Sequence, residues 1–261
     1  MNSANEVRSP DCPMPLLEVD AVGKVFVVNN TRSTVLEDIS FCCLEGELIC
    51  ILGPSGCGKT TLMRLIAGFD SPSRGAIRMG GEPLSGPGPD RCVIFQEDAL
   101  FPWLTVWENV AFGIRRNRKD GRALRSEVNH FLSLVGLENF GNYLPREISL
   151  GMKQRVALAR VLIMKPRILL MDEPFASLDV QTRQEMHKLL LKIWQELSQS
   201  IIFVTHDVEE SIILADSILL FEKDPGRIKG HVKVELPRPR DSESQEFLKL
   251  KKSLRQSIMS C

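Results

Sequence analysis

The segment at residues 53–61 constrains the fold of this chain more than any other stretch of its sequence. It reads G-x-x-x-x-G-K-T followed by a second threonine, which is the pattern of a phosphate-binding loop. The apolar run Leu48–Leu52 before it is typical of a buried strand, and a helical pattern that ends near Gly68 follows it. Because the motif lies between a strand and a helix N-terminus, the sequence favours phosphate binding over a chance glycine-rich turn.

The residue types of this segment suit a nucleoside triphosphate. Glycines let the backbone curl so that successive N–H groups form an anion-binding nest. The positive end of the following helix adds roughly 0.3–1 kcal/mol per interacting charge. Lys59 can reach the β- and γ-phosphates, and Thr60 offers the kind of oxygen ligand that Mg²⁺ prefers. The predicted phosphate-binding residues are Gly53, Pro54, Ser55, Gly56, Cys57, Gly58, Lys59, Thr60 and Thr61.

Length and composition narrow the class of protein. A chain of 261 residues can bury a full core, and its 33 basic and 33 acidic residues balance, so no overall charge points to nucleic acid or an anionic membrane. The seven cysteines include no C-x-x-C pair, and we interpret them as reduced thiols of a cytosolic protein. Residues 1–15 are polar and proline-rich, which predicts a flexible tail and not a signal peptide. No run approaches the roughly 20 apolar residues of a membrane span, so a membrane role would require another chain.

Three further apolar runs indicate buried strands, and polar residues follow each of them directly. The runs and these residues are 92–95 with Gln96, 168–171 with Asp172 and Glu173, and 201–204 with Thr205 and His206. Strands that alternate with helices predict a largely parallel sheet, which binds ligands at the carboxyl ends of its strands. There Asp172 would hold Mg²⁺, Glu173 would orient or deprotonate a water, and His206 would donate to a γ-phosphate. The alternatives are a solvated glutamine, a helix-initiating acidic turn and a histidine without a ligand.

Other signals leave a structural alternative open. Phe26, near the end of a predicted strand, is by itself an ordinary core residue. Ser149 precedes a helical apolar pattern, either as a simple N-cap or as part of a second phosphate site. Phe101, Trp103 and Trp107 lie in a segment interrupted by proline, and they indicate either core packing or an apolar docking surface.

The remaining elements follow from periodicity and turn residues. The predicted strands are 16–28, 35–43, 76–79, 217–222 and 231–235, with helices at 180–198 and near 247–254 and a loop over 80–89. Asp207 with Glu210 resembles a capping box that opens another helix.

In this order, the motifs resemble those of the ATPase subunits of ABC transporters, over roughly residues 16–240. The family has a phosphate loop, glutamine loop, signature, Walker B strand, D-loop and switch histidine, matched here by residues 53–60, Gln96, 148–154, 168–173, 177–179 and His206. A soluble ABC-type ATPase without a permease is one alternative, but such proteins usually carry long insertions or fused domains. A nucleotide kinase or a GTPase is another, and the signature stretch argues against it.

The resemblance implies an α/β P-loop NTPase fold with a mostly parallel central sheet, an antiparallel β subdomain and an inserted α-helical subdomain at about 98–165. It assigns residues 16–240 to an ABC-type ATP-binding domain and residues 241–261 to a C-terminal helical tail. It also implies ATP and Mg²⁺ as cofactors, and a head-to-tail dimer that holds two ATP molecules at its interface. Contacts of each γ-phosphate with both subunits would join the dimer, and hydrolysis would release it.

The resemblance distributes the site residues over both subunits of this dimer. The catalytic residues would be Glu173, His206 and Gln96, and the metal ligands Thr60, Gln96 and Asp172. Ser149 and Gly151 would contact the γ-phosphate across the interface, and Phe26 would stack on adenine. Leu150 departs from the family's usual Leu-Ser-Gly-Gly and would crowd the closed dimer or alter backbone angles that glycine permits. We therefore predict reduced but not absent ATPase activity.

Narrower marks resemble importers of the nitrate, sulfonate, taurine and bicarbonate group, whose relatives carry thiamine-precursor pyrimidines. These marks are residues 95–106, 191–196, 225–228 and 236–240. The resemblance implies a homodimer or a paired ATPase subunit, a transmembrane permease and a periplasmic or lipid-anchored solute-binding protein, with no nucleic acid partner. It places the chain peripherally at the cytoplasmic face of the inner or plasma membrane, where Phe101, Trp103 and Trp107 would border the groove for the permease's coupling helix.

Overall fold

The computed structural model describes residues 14–28, 30–95, 100–114 and 121–259. The strands are β1 Leu17–Val28, β2 Thr31–Cys43, β3 Leu48–Leu52, β4 Arg74–Met79, β5 Glu82–Pro83, β6 Arg91–Ile94, β7 Ile168–Asp172, β8 Ser200–Thr205, β9 Ser217–Glu222 and β10 Arg227–Lys233. The helices are α1 Lys59–Ile66, α2 Val106–Ala111, α3 Gly121–Leu134, α4 Leu150–Leu162, α5 Val180–Leu197, α6 Val208–Leu214 and α7 Gln245–Met259, with a short 3-10 helix at Pro145–Glu147. Most of the predicted N-terminal tail lies outside the described residues.

Two sheets organise these elements. The larger sheet has the strand order β10-β9-β3-β8-β7-β6, in which β9 to β6 run parallel and β10 pairs antiparallel with β9. The smaller sheet has the order β2-β1-β4-β5 and is antiparallel. Helices α2, α3 and α4 lie between β6 and β7 in the chain. The predicted α/β fold with a mostly parallel central sheet, an antiparallel sheet and inserted helices is confirmed.

The central strands are buried on both faces, which explains their continuous apolar runs. Every residue of β3, β7 and β8 is buried. Because side chains alternate along a strand, Leu48, Cys50 and Leu52 pack with the core that includes α2 to α7, whereas Ile49 and Ile51 pack with α1 and the antiparallel sheet. The order β3-β8-β7 brings the carboxyl ends of these strands together at one edge.

Several element boundaries differ from the sequence-based expectation, and β2, for example, begins at Thr31 and not at residue 35. The predicted loop over residues 80–89 contains the short strand Glu82–Pro83, so that part of the prediction is wrong. Its glycine pair turns back with positive φ, which lets the two residues pair with β4. The late strand begins at Arg227 and not at His231, because the hairpin already closes at the pair of Glu222 with Arg227.

Two arginines of the segment after β10 bind the end of α6 and the neighbouring core. Arg240 donates to the carbonyl oxygens of Ile212 at 2.5 Å and Ala215 at 2.6 Å. Arg238 lies over the ring of Trp194, 4.3 Å from its centroid. Burial, with the nearby charge of Arg238, lowers the pKa of Arg240 to about 10. The Arg-rich segment thus satisfies terminal helix carbonyls, which have no partner within their own helix.

The C-terminal helix α7 packs against the same region. Phe247 and Leu254 are buried, and Lys251 Nζ lies 2.5 Å from the Glu209 carboxylate on α6. Its apolar face therefore belongs to the main core. Within the described residues, no helix combines the length and apolar character that crossing a membrane requires.

Candidate functional site

The phosphate loop runs from the carboxyl end of β3 to the start of α1, as predicted. Gly56 and Gly58 adopt φ values of 80° and 95°, in the left-handed region that glycine enters without steric cost. By exposure, its residues divide into exposed Ser55, Gly56 and Thr60, half-buried Pro54, Gly58 and Thr61, and buried Gly53, Cys57 and Lys59. The loop leads to a helix N-terminus, where the first backbone N–H groups lack intrahelical partners and favour an anion.

Lys59 is held inside the loop that it belongs to. Its side chain is 4% exposed, and Nζ donates to the carbonyl oxygens of Gly53 at 2.8 Å and Pro54 at 2.9 Å. The same nitrogen lies 3.7 Å from Glu173 Oε1. The loop therefore holds a cation in place, which suits the negative charge of a polyphosphate.

Asp172 and Thr60 form the second part of the site, at the carboxyl end of β7. Burial raises the pKa of Asp172, the Thr60 hydroxyl opposes this rise by donating a hydrogen bond, and the charge of Glu173 adds to it. A carboxylate and a hydroxyl are hard oxygen donors, and Mg²⁺ commonly takes one or two protein ligands while it keeps several waters. The donor set therefore fits this ion.

Glu173 occupies an unusual backbone position beside Asp172. Its φ is 46°, which is uncommon for a residue with a β-carbon, and its N–H donates to the Val204 carbonyl at 3.0 Å. The carboxylate Oε2 lies 2.9 Å from His206 Nδ1. The structure thus brings together two of the predicted catalytic residues, across the carboxyl ends of β7 and β8.

A buried network behind His206 was not predicted from the sequence. The Thr205 hydroxyl accepts from the Asp207 N–H at 2.9 Å and donates to the Glu210 carboxylate. The other oxygen of Glu210 lies 2.8 Å from His187 Nε2, and these two side chains are 8% and 7% exposed. Glu210 therefore connects β8, α5 and α6 beneath the turn that carries His206.

This network overturns half of the predicted capping box. Asp207 does cap α6, since its carboxylate accepts from the N–H groups of Glu209 at 2.8 Å and Glu210 at 3.3 Å. The Glu210 side chain does not return to the Asp207 N–H, so the capping-box prediction is wrong for that residue. The reason is that Thr205 already accepts that N–H, while Glu210 turns inward.

Phe26 lies at the exposed end of β1. Its side chain is 38% exposed, and the Lys24 ammonium lies 5.0 Å from its ring centroid. Lys24 also donates to Asp70 Oδ1 at 2.6 Å, so its position over the ring is fixed. The ordinary-core interpretation of Phe26 is wrong, and adenine stacking stays a prediction.

The signature residues begin α4. Ser149 is exposed and caps this helix, because its hydroxyl accepts from the Met152 N–H at 3.3 Å. Gly151 is buried, and a β-carbon there would lie 2.5 Å from Thr182 Cγ2 on α5. The Thr182 hydroxyl donates to Asp179 of the D-loop at 2.6 Å. Within the described part of the chain, no hydrogen bond joins these residues to the phosphate loop.

Leu150 is the first residue of α4 and has no left-handed backbone angle. A leucine adopts this helical geometry readily, so the expectation of altered backbone angles is wrong. The side chain is exposed beside Ser149. Of the two predicted effects of Leu150, only crowding of a closed dimer by its side chain therefore stays a prediction.

An aromatic cluster of Phe101, Trp103 and Phe112 lies on the surface beside α2. The ring centroid of Phe101 is 5.6 Å from that of Trp103 and 4.4 Å from that of Phe112. Trp103 is 72% and Phe112 55% exposed, whereas Trp107 is half-buried against the main core. Close exposed aromatic rings are typical of an interaction surface. Trp103 therefore lies on the exposed surface, whereas Trp107 packs partly against the core.

Gln96, the predicted glutamine-loop residue, lies outside the described residues. Its roles in catalysis and as a Mg²⁺ ligand stay predictions.

Four features together define a P-loop nucleoside triphosphatase. They are the mostly parallel sheet, the phosphate loop, Asp172 at the carboxyl end of β7, and the adjacent pair of Glu173 and His206. Comparisons with known proteins narrow this class. The ABC transporter family matches residues 36–176. The nitrate import ATP-binding protein of Synechocystis sp. is 42% identical over 236 residues, which are 90% of this chain and 89% of that protein. The taurine import ATP-binding protein of Pelagibacter ubique is 48% identical over 202 residues, 77% of this chain and 76% of that protein.

A solved structure agrees with these matches. A dimeric ATP-binding cassette in a post-hydrolysis state, bound to ADP and Pi, superposes with a TM-score of 0.74 at 27% identity, covering 85% of this chain and 100% of that one. This chain belongs to the ABC transporter family, and it is an ATP-binding ATPase. The resemblance found in the sequence is confirmed.

Proposed function

We propose that this chain hydrolyses ATP to drive uptake of a small solute through a separate permease, from a peripheral position at the cytoplasmic face of the membrane. Relatives of this chain are named for the import of nitrate, taurine or aliphatic sulfonates and for bicarbonate transport. We propose that the solute of this chain belongs to the same class of small polar molecules. The observation that carries the proposal is an ATPase site and an exposed aromatic cluster on one chain. A solute-binding protein would deliver the solute to the permease.

We assign the nucleotide site as follows. The phosphate loop with Lys59 binds the β- and γ-phosphates. Thr60 and Asp172, together with Gln96, hold Mg²⁺, which neutralises phosphate charge when bound. Glu173 orients and deprotonates the attacking water, and His206, hydrogen-bonded to Glu173, contacts the γ-phosphate.

A second copy would complete this site in a head-to-tail dimer. Ser149 is exposed at the N-terminus of a 13-residue helix, and residues of the phosphate loop are exposed elsewhere on the chain. Pairing two copies would place each Ser149 and Gly151 against the other's γ-phosphate, with Phe26 on the adenine. The dimeric form of the structural neighbour supports this arrangement.

Replacing Trp103 by serine tests the contact with the permease. When the two chains are expressed together, we expect co-purification and solute uptake to fall by about tenfold or more, because truncation of a tryptophan at an interface hot spot costs about 2 kcal/mol or more. Leu248→Ser, which removes another exposed apolar side chain, on α7, is the matched control. Unchanged co-purification of the Trp103 variant would refute this docking surface.

The solute class is tested by uptake in cells with and without this chain. We expect ATP-dependent uptake of nitrate, taurine, an aliphatic sulfonate or bicarbonate to require it. Normal ATP hydrolysis without uptake of any solute, and without a co-purifying membrane protein, would favour the alternative of an ABC-type ATPase outside transport.

The Leu150→Gly variant tests the effect of the altered signature. We expect ATPase activity of the assembled transporter to rise by roughly twofold to fivefold, since loss of the exposed side chain would relieve the crowding proposed for the closed dimer. Leu150→Ala is the companion variant, because glycine at a helix position also costs about 0.5–1 kcal/mol relative to alanine. Slower hydrolysis in both variants, with unchanged thermal unfolding, would contradict the crowding argument.

A further inference from the structure

The turn between β9 and β10 contacts the buried side of the phosphate loop. A β-carbon built on Gly226 in this turn would lie 2.2 Å from the carbonyl oxygen of Cys57 and 2.9 Å from that of Val35. Cys57 is buried between Gly56 and Gly58 in the phosphate loop. Gly226 has no left-handed φ, so its backbone angles would admit other residues. The close approach of the two backbones is therefore what requires glycine.

Hydrogen bonds attach this turn to β2. The Gly226 N–H donates to the Val35 carbonyl at 2.9 Å, and the Gly226 carbonyl accepts from the Glu37 N–H at 2.9 Å. The next residue, Arg227, donates from Nε to the Glu37 carboxylate at 3.0 Å. Backbone bonds and an ion pair thus hold the turn at one register against β2.

Strand β2 contacts the loop at the neighbouring residue. A β-carbon on Gly58 would lie 2.7 Å from Leu36 Cδ2 and 3.2 Å from the Val35 carbonyl oxygen. Leu36 is fully buried. Cys57 and Gly58 therefore pack against β2 and against the turn that contains Gly226.

We propose that Gly226 is a positioning residue for nucleotide binding, which sets the curvature of the phosphate loop through the Cys57 carbonyl. This inference rests on the proposed role of that loop in binding ATP. A side chain at position 226 would push the carbonyl away by about 1 Å to reach an ordinary contact, and the adjoining N–H groups would move with it. Displacements of that size are large enough to weaken ligand contacts strongly.

The test compares Gly226→Ala with Gly230→Ala in the full chain. Gly230 lies on the same hairpin, but a β-carbon there meets only Leu220 Cδ1, at an ordinary 3.6 Å. We expect Gly226→Ala to weaken Mg-ADP binding in calorimetry and raise KM for ATP by about tenfold, with kcat within about twofold. Gly230→Ala should match the parent chain. A merely structural role would lower the thermal midpoint without this selective change in KM.

Two further variants test the inference if Gly226→Ala does not fold, and test separately the role of the phosphate loop. Arg227→Gln removes the charged anchor of the turn without a steric clash, and we expect KM to rise by about twofold to threefold. An unchanged KM in Gly226→Ala, or in Arg227→Gln where the alanine variant does not fold, would overturn the inference. Lys59→Ala is the reference for the loop itself. Unchanged Mg-ADP affinity in Lys59→Ala would instead refute the proposed role of the phosphate loop.

Discussion

A Glu173→Gln variant is expected to hydrolyse ATP at least about 100-fold more slowly than the parent chain while it still binds ATP, because general-base action contributes roughly 10²–10⁴-fold. Glutamine preserves the size of the side chain but removes the carboxylate that lies 2.9 Å from His206 Nδ1 and 3.7 Å from Lys59 Nζ. Steady-state phosphate release measures turnover, and calorimetry with Mg-ATP measures binding.

The same variant tests whether ATP joins two copies. Without hydrolysis the γ-phosphate persists, so we expect a dimer in light scattering at saturating Mg-ATP. Glu185→Gln changes an exposed carboxylate on α5 and is the matched control, with parental turnover. A Glu173→Gln chain that stays monomeric under these conditions, even beside its permease, would refute the dimer mechanism.

Replacing Glu210 by alanine is expected to lower the free energy of unfolding by about 3–5 kcal/mol, because it removes the shared buried partner of His187 and Thr205. Glu210 also fixes the Thr205 hydroxyl that accepts the Asp207 N–H, so we expect the turn that carries His206 to be held less firmly in this variant. The variant should therefore reduce kcat more than it raises KM. Urea unfolding and steady-state kinetics measure the two effects.

The neighbouring residue supplies a control for this change. Glu209→Ala removes a carboxylate from the same turn of α6, but that group is half-exposed and pairs with Lys251, so we expect a loss of only about 0–1 kcal/mol. Glu210→Gln, which keeps an acceptor, should recover part of the lost stability. Similar unfolding free energies for both alanine variants would show that the buried network does not stabilise the fold.

The central sheet and its main motif were predictable from local pattern. β3, β7 and β8 are buried on both faces and give uninterrupted apolar runs in the sequence, and the phosphate loop and Asp172 directly follow two of these runs. The short strand Glu82–Pro83 was not predictable, because its pairing depends on β4 and not on its own two residues. The start of β10 depends in the same way on hairpin closure with Glu222.

Contacts between residues that are far apart in the chain limit how much of the site can be predicted from the sequence. Glu210 matched a capping box because Asp207 precedes it at the right spacing, whereas its partner His187 lies 23 residues away on another helix. The left-handed φ of Glu173 accompanies its hydrogen bond with Val204 on the adjacent strand. Neither contact can be recognised from the local periodicity of the sequence. The approach of Gly226 to the phosphate loop is of the same kind.

In the folded chain the ammonium group of Lys59 already donates to two backbone carbonyl oxygens. Removal of this long, flexible side chain from bulk water and the loss of its rotamer freedom are therefore part of forming the native state. An incoming nucleotide meets a charge that is already oriented, so association does not include the ordering of a mobile lysine. Capture should accordingly depend on how fast the nucleotide arrives, with little rearrangement at the lysine end of the loop.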